Sequence, residues 1–138
     1  MRSVRLAALL LLTLGGVASH AQGVAPECAK AEDVEAGRLV GLWRAEVQGQ
    51  PAATLLLEPH RQHLGSLSGE INRDGARSRI AADLDDGEFT LEESADGVHI
   101  AATWLGDVVE GSCGKEIKGQ WQAEGGQPRS FVLRRVGR

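Results

Sequence analysis

Ser112-Cys113-Gly114-Lys115 sets a hydroxyl, a thiol and an amine within four residues, a grouping that nucleophilic catalysis could use. That chemistry needs a thiolate, and a Cys113 paired with Cys28, the only other cysteine, cannot supply one. Gly65-Ser66-Leu67-Ser68-Gly69 places hydroxyls between glycines, yet the nucleophile-elbow pattern requires serine at the centre, where Leu67 stands. No hydrolase set is complete.

His60 and His63 lie three apart, a spacing that presents two metal ligands on one helical turn. Pro59 and Arg61 favour a solvated loop instead, His99 falls in the outward register of its strand, and no cysteine is free to complete a zinc site. The acidic run Asp83, Asp85, Asp86, Glu88 misses the calcium-loop pattern, in which alternating oxygen ligands precede a glycine at the sixth place, and reads as an acidic hairpin tip. No catalytic residue, metal or cofactor is expected.

The remaining candidates are the tryptophans. Trp43, Trp104 and Trp121 could floor a site for a small apolar ligand, each giving a broad face and one orienting N–H. They could equally plug the interior, because only two Phe and no Tyr accompany them. A core plug is the favoured role, with all three filling one end of the fold.

The elements that must position these residues begin after a leader. Arg2 and Arg5 precede an uncharged run from Leu6 to Val17 and then small-residue sites near Ala21, the pattern of a secretory signal peptide over residues 1–21. The run is shorter than the roughly 20 residues a spanning helix needs, so no membrane insertion is expected. Cleavage after Ala21 leaves 117 of 138 residues, one domain's worth, and takes Lys plus Arg from 15 to 13 against 19 Asp plus Glu, a net charge of −6. Nucleic acid and anionic lipid are thereby poor partners. Two cysteines in an exported chain predict a disulfide between Cys28 and Cys113 that fastens an N-terminal arm over residues 22–38, where A-K-A-E-D-V-E-A-G could form one or two helical turns.

From Leu39 to the end the pattern is short apolar-alternating runs separated by turn residues, eight candidate strands in residues 39–138. Inward rows are Gly41, Trp43, Ala45, Val47; Leu55, Leu57; Leu67, Ile71; Ile80, Ala82, Leu84; Phe89, Leu91; Val98, Ile100, Ala102, Trp104; Ile117, Gly119, Trp121; and Phe131, Leu133. Short connections make sequence neighbours antiparallel neighbours. Gly41, Gly69 and Gly119 inside strand runs permit the coiling of a closed barrel. The predicted fold is all-β, a small antiparallel up-and-down (meander) barrel, with a β-sandwich as the alternative.

Gly41-Leu42-Trp43, a Gly-x-Trp opening to a first strand, resembles the start of lipocalins and avidins. The likeness to avidins extends to His99-Ile100-Ala101-Ala102-Thr103-Trp104-Leu105-Gly106 and to Gly119-Gln120-Trp121, and implies Thr103, Trp104 and Trp121 at biotin-contact positions. The polar residues that hold biotin's ureido group have no counterpart, since Arg44 and Ala45 follow Trp43. What the resemblance implies is therefore architecture, a lipocalin-like secreted barrel.

The function expected from the sequence is that of a non-enzymatic exported barrel, periplasmic or extracellular, binding a small hydrophobic ligand or a partner protein at its mouth. A second expectation, from another class, is inhibition of an extracellular protease. Small barrels with one disulfide and an N-terminal arm, such as the bacterial inhibitors of metalloproteases, work that way, and Gln22 to Glu27 would be the arm here. A third is an envelope structural or stress protein without a ligand.

Overall fold

Alternation of apolar and polar residues over seven to ten positions can bury one face of each strand only if the sheet folds back on itself. A computed structural model, which describes residues 27–137 together with Gly16 and Ser19, shows how this chain does so. The strands are β1 (Gly41–Val47), β2 (Ala53–Pro59), β3 (Leu67–Arg73), β4 (Ala76–Asp85), β5 (Glu88–Ser94), β6 (Ala102–Val108), β7 (Glu116–Ala123) and β8 (Arg129–Gly137). Each pairs antiparallel with the next, and β8 pairs with β1 to close the barrel in strand order. The expected meander barrel is thus the fold, a barrel of the lipocalin kind in general, and it leaves no open sheet edge. The expected signal peptide and residues 22–26 of the arm lie outside the described residues, Gly16 and Ser19 apart.

Up-and-down order puts the 48–52, 74–75, 95–101 and 124–128 connections at one end, the turn end. The other connections and the N-terminal arm lie at the opposite, arm end. Asp74 and Asp86 have φ of 51° and 47°, and Gly75 and Gly87 after them 92° and 81°. Two consecutive left-handed residues make the primed turn whose twist matches a two-residue hairpin, which is why Asp-Gly closes both. At Gly119 the strands approach so closely that a Cβ would run into the Leu105 carbonyl, and at Gly69 into that of Leu56.

Inside, Trp43, Trp104, Phe89, Phe131, Leu55 and Ile71 are among the large side chains with almost no exposure, and Trp104 meets Phe131 edge-on at 4.8 Å between ring centroids. The arm forms two short 3-10 turns, Ala31–Asp33 and Ala36–Leu39, and drives Leu39 and Val34 into the arm end. Arg135, the inward-register residue near the end of β8, donates to the carbonyls of Arg38 and Val40. The Cys28–Cys113 disulfide and a 2.8 Å bond from the Ala31 N–H to Glu110 hold the rest of the arm over the 109–115 connection.

One inward row departs from expectation. Val98 and Ile100 are not strand residues; β6 begins at Ala102, and both side chains are exposed. The cause is Asp96, whose carboxylate captures the N–H groups of Val98 and His99, so the backbone there turns instead of joining a ladder. His99 accordingly lies in a loop and not in the outward register of a strand.

Candidate functional site

The turn end holds the one buried ionised side chain among the described residues. Along β5 the inward row continues past Phe89 and Leu91 to Glu93, which is 4% exposed. On β3 the row Leu67, Ile71 ends at Arg73, so the pleat brings a guanidinium and a carboxylate into the same mouth. Arg73 grips Glu93 in a two-pronged pair, Nη2 to Oε1 at 2.6 Å and Nη1 to Oε2 at 2.7 Å.

Glu93 Oε1 also accepts the indole N–H groups of Trp104 at 2.7 Å and Trp121 at 3.2 Å. Burial pushes the Glu93 carboxyl up, but the Arg73 hydrogen bonds and charge, with the two indoles, outweigh it and hold it below the usual carboxylate range. An ionised carboxylate with four donors around it is a lock. It fixes both indoles, with Oε1 taking three of the donors and Oε2 the fourth.

Of the residues singled out in the sequence, the structure brings Trp104 and Trp121 together here, at adjacent positions across β6 and β7. Trp43 does not join them. It stands near the arm end, where its N–H donates to the Leu39 carbonyl at 2.7 Å, so the expectation that all three tryptophans fill one end is corrected. Trp43 and Trp104 lie on strands that run from opposite ends, and each sits in the third position of its strand. Thr103 lies between two inward residues and therefore faces outward, lining a shallow groove of about 240 Å³ with Ile100, Gln122 and Gly125.

Sequence reasoning missed Glu93 and Arg73. The signal was present in the period of two, which carries Phe89 and Leu91 on to Glu93, and Leu67 and Ile71 on to Arg73. Neither residue is given an inward place, because only apolar residues and glycine are set in the inward rows.

Above this lock lies the 95–101 connection. Asp96 Oδ1 accepts from Val98 N and His99 N, each at 2.8 Å, and from Ser94 Oγ at 3.0 Å, while Oδ2 meets His99 Nδ1 at 2.6 Å. The bonds from His99, then those from Val98 and Ser94, hold the Asp96 carboxyl far below its ordinary range. Val98 is 78% exposed and Ile100 45% exposed on this braced loop.

The other candidates are placed without chemistry. His60 Nδ1 accepts the N–H groups of Gln62 and His63, an ordinary loop turn. Ser112 Oγ faces the backbone of Glu116, and Cys113 is in the disulfide. Ser66 Oγ donates to Asp83 at 2.5 Å. No protein-family model matches this chain, and no curated protein matches it either.

Proposed function

We propose that this chain is a non-enzymatic exported binding protein that meets a partner protein at the turn end of its barrel, through the 95–101 connection. The observation that carries this reading is the pair Val98 and Ile100, two aliphatic side chains turned to water on a loop that Asp96 braces from four sides. A loop ordered in advance loses little freedom on binding, and exposed aliphatic residues at its tip gain most from being covered.

An axial site for a small apolar ligand is the less favoured form of the same reading. The interior is occupied by Trp43, Trp104, Phe89, Phe131 and their aliphatic neighbours. Glu93 takes the indole N–H groups that would have oriented a guest.

A photo-cross-linking residue at Val98, with Gln120 on the barrel wall as control, tests the reading in exporting cells. A discrete adduct is expected from position 98 and not from position 120, lost with Ile100→Asp. Equal adducts from both positions, or none, sink it. A saturable tryptophan fluorescence shift with apolar probes would restore the ligand instead.

Protease inhibition is favoured by one different observation. The disulfide ties Cys28 to the barrel rim at Cys113, which fixes the point from which the preceding residues depart. Trimming residues 22–27 should then abolish binding to a protease while leaving Tm unchanged; unaltered binding discards this alternative.

A further inference from the structure

Across β4, β5 and β6 the outward residues pair in rows. Asp85 faces Glu88, which faces Asp107; Asp83 faces Thr90, which faces Leu105; Ala81 faces Glu92, which faces Thr103. The centre of this sheet face holds Thr90 and Leu105, with the carboxylates of Asp83 and Glu92 beside them. Leu105 is 57% exposed beside a groove of about 290 Å³ that runs along Ala81, Thr90 and Thr103.

Five carboxylates surround that centre. Among the described residues, Asp85, Glu88, Glu92 and Asp107 enter no ion pair, and Asp83 takes only the Ser66 hydroxyl. Two cations border the face: Lys118, opposite Asp107, holds its ammonium 2.9 Å from Glu116, and Arg79 stands on β4 opposite Ser94, one row beyond Glu92. Like charges directly opposite one another in a sheet weaken it, so the Asp85, Glu88, Asp107 row costs the fold stability and returns none. A cationic occupant would relieve that cost, and an aliphatic side chain would cover Leu105.

We propose that the outer face of β4, β5 and β6 docks a basic protein segment, an aliphatic residue set beside Leu105 with Lys or Arg on either side of it. A second copy of this chain would bring the same five carboxylates against these, and an anionic lipid surface would be repelled in the same way. Neither fits. The face is distinct from the 95–101 loop, and the proposal stands or falls apart from the reading given above.

The probe is a synthetic peptide alternating Lys with Leu and Thr, titrated into the isotopically labelled protein at low ionic strength. Saturable shifts are expected in the amide signals of residues 81–92 and 103–107. Glu88→Lys with Glu92→Lys should weaken binding about tenfold or more, and Leu105→Ser several-fold. Glu124→Lys with Gln48→Lys and Gln127→Lys, the same change of net charge at the turn end, should leave affinity within about twofold. All these positions are exposed, so each variant should keep its Tm within a few degrees. The proposal is overturned if the turn-end control weakens binding equally, since net charge alone would then act. It is overturned equally if Leu105→Ser changes nothing, if the shifts map to another face, or if sedimentation shows this face meeting a second copy.

Discussion

Arg73 and Glu93 lie 20 residues apart in sequence, on strands that are not neighbours, and meet inside the barrel mouth through two bonds of 2.7 and 2.6 Å. The pair therefore braces β3 to β5 across β4 by side chains alone, and through Trp104 and Trp121 extends the brace to β6 and β7. Removing one member of a buried pair strands the other. Arg73→Met should cost about 2 to 3 kcal/mol, below the full 3 to 5 of a wholly buried pair because Arg73 keeps 27% of its side-chain exposure. Urea midpoints at neutral pH measure it, and a loss under about 0.5 kcal/mol would show that the indoles suffice.

The same pair sets a pH dependence. The Glu93 carboxyl is lowered in the folded state, so its stabilisation is fully present above the unfolded value near pH 4.3 and is lost as pH falls through the lower folded one. Glu93→Gln should thus be less stable than the parent at pH 7, with the gap narrowing below about pH 4. Denaturation midpoints at pH 7 and pH 3 give the comparison; a gap that widens in acid contradicts the assignment.

The disulfide closes a separation of 85 residues, worth roughly 4 to 5 kcal/mol on chain-entropy grounds as an upper figure. Cys28→Ser with Cys113→Ser should lower Tm by many degrees yet leave the β-sheet circular dichroism intact. Leu39, Arg135 and Trp43 anchor the last residues of the arm independently of the sulfurs. Loss of the sheet signal in the folded baseline would mean that the arm is required for barrel closure.

Much of the architecture was legible because it rests on local rules. Alternation placed Trp43, Leu55, Ile71, Phe89, Trp104 and Phe131 inside, and the Asp-Gly pairs marked two hairpins. Two things were not legible. Glu93 and Arg73 keep the inward parity of their strands, but charged residues are read as solvent-facing unless the partner is known, and the partner lies two strands away. Val98 and Ile100 extend the β6 alternation backwards, and it is the capture of the Val98 and His99 N–H groups by the Asp96 carboxylate that starts the strand late.

Gly119 tests how tightly the barrel is coiled. Its Cβ would collide with the Leu105 carbonyl and crowd Gly106, both backbone, which no side-chain rotation relieves. Gly119→Ala should cost at least about 2 kcal/mol or prevent folding, whereas Gly37→Ala, with nothing within 4 Å, should change stability by under about 0.5 kcal/mol. Equal effects at the two sites would show that β6 and β7 can separate freely.

The outer acidic row makes an opposite prediction for stability. Glu88 faces Asp85 on one side and Asp107 on the other, so Glu88→Lys converts two repulsions across β4, β5 and β6 into attractions. A gain of about 0.2 to 1 kcal/mol is expected, largest at low salt because these groups are exposed and screened. Most single substitutions destabilise, so a gain here identifies the carboxylate as one the fold does not need. Thermal melts in 20 mM and 500 mM salt decide between outcomes. A gain that shrinks with salt confirms the repulsive row, and a loss at both concentrations shows that Glu88 serves the barrel itself.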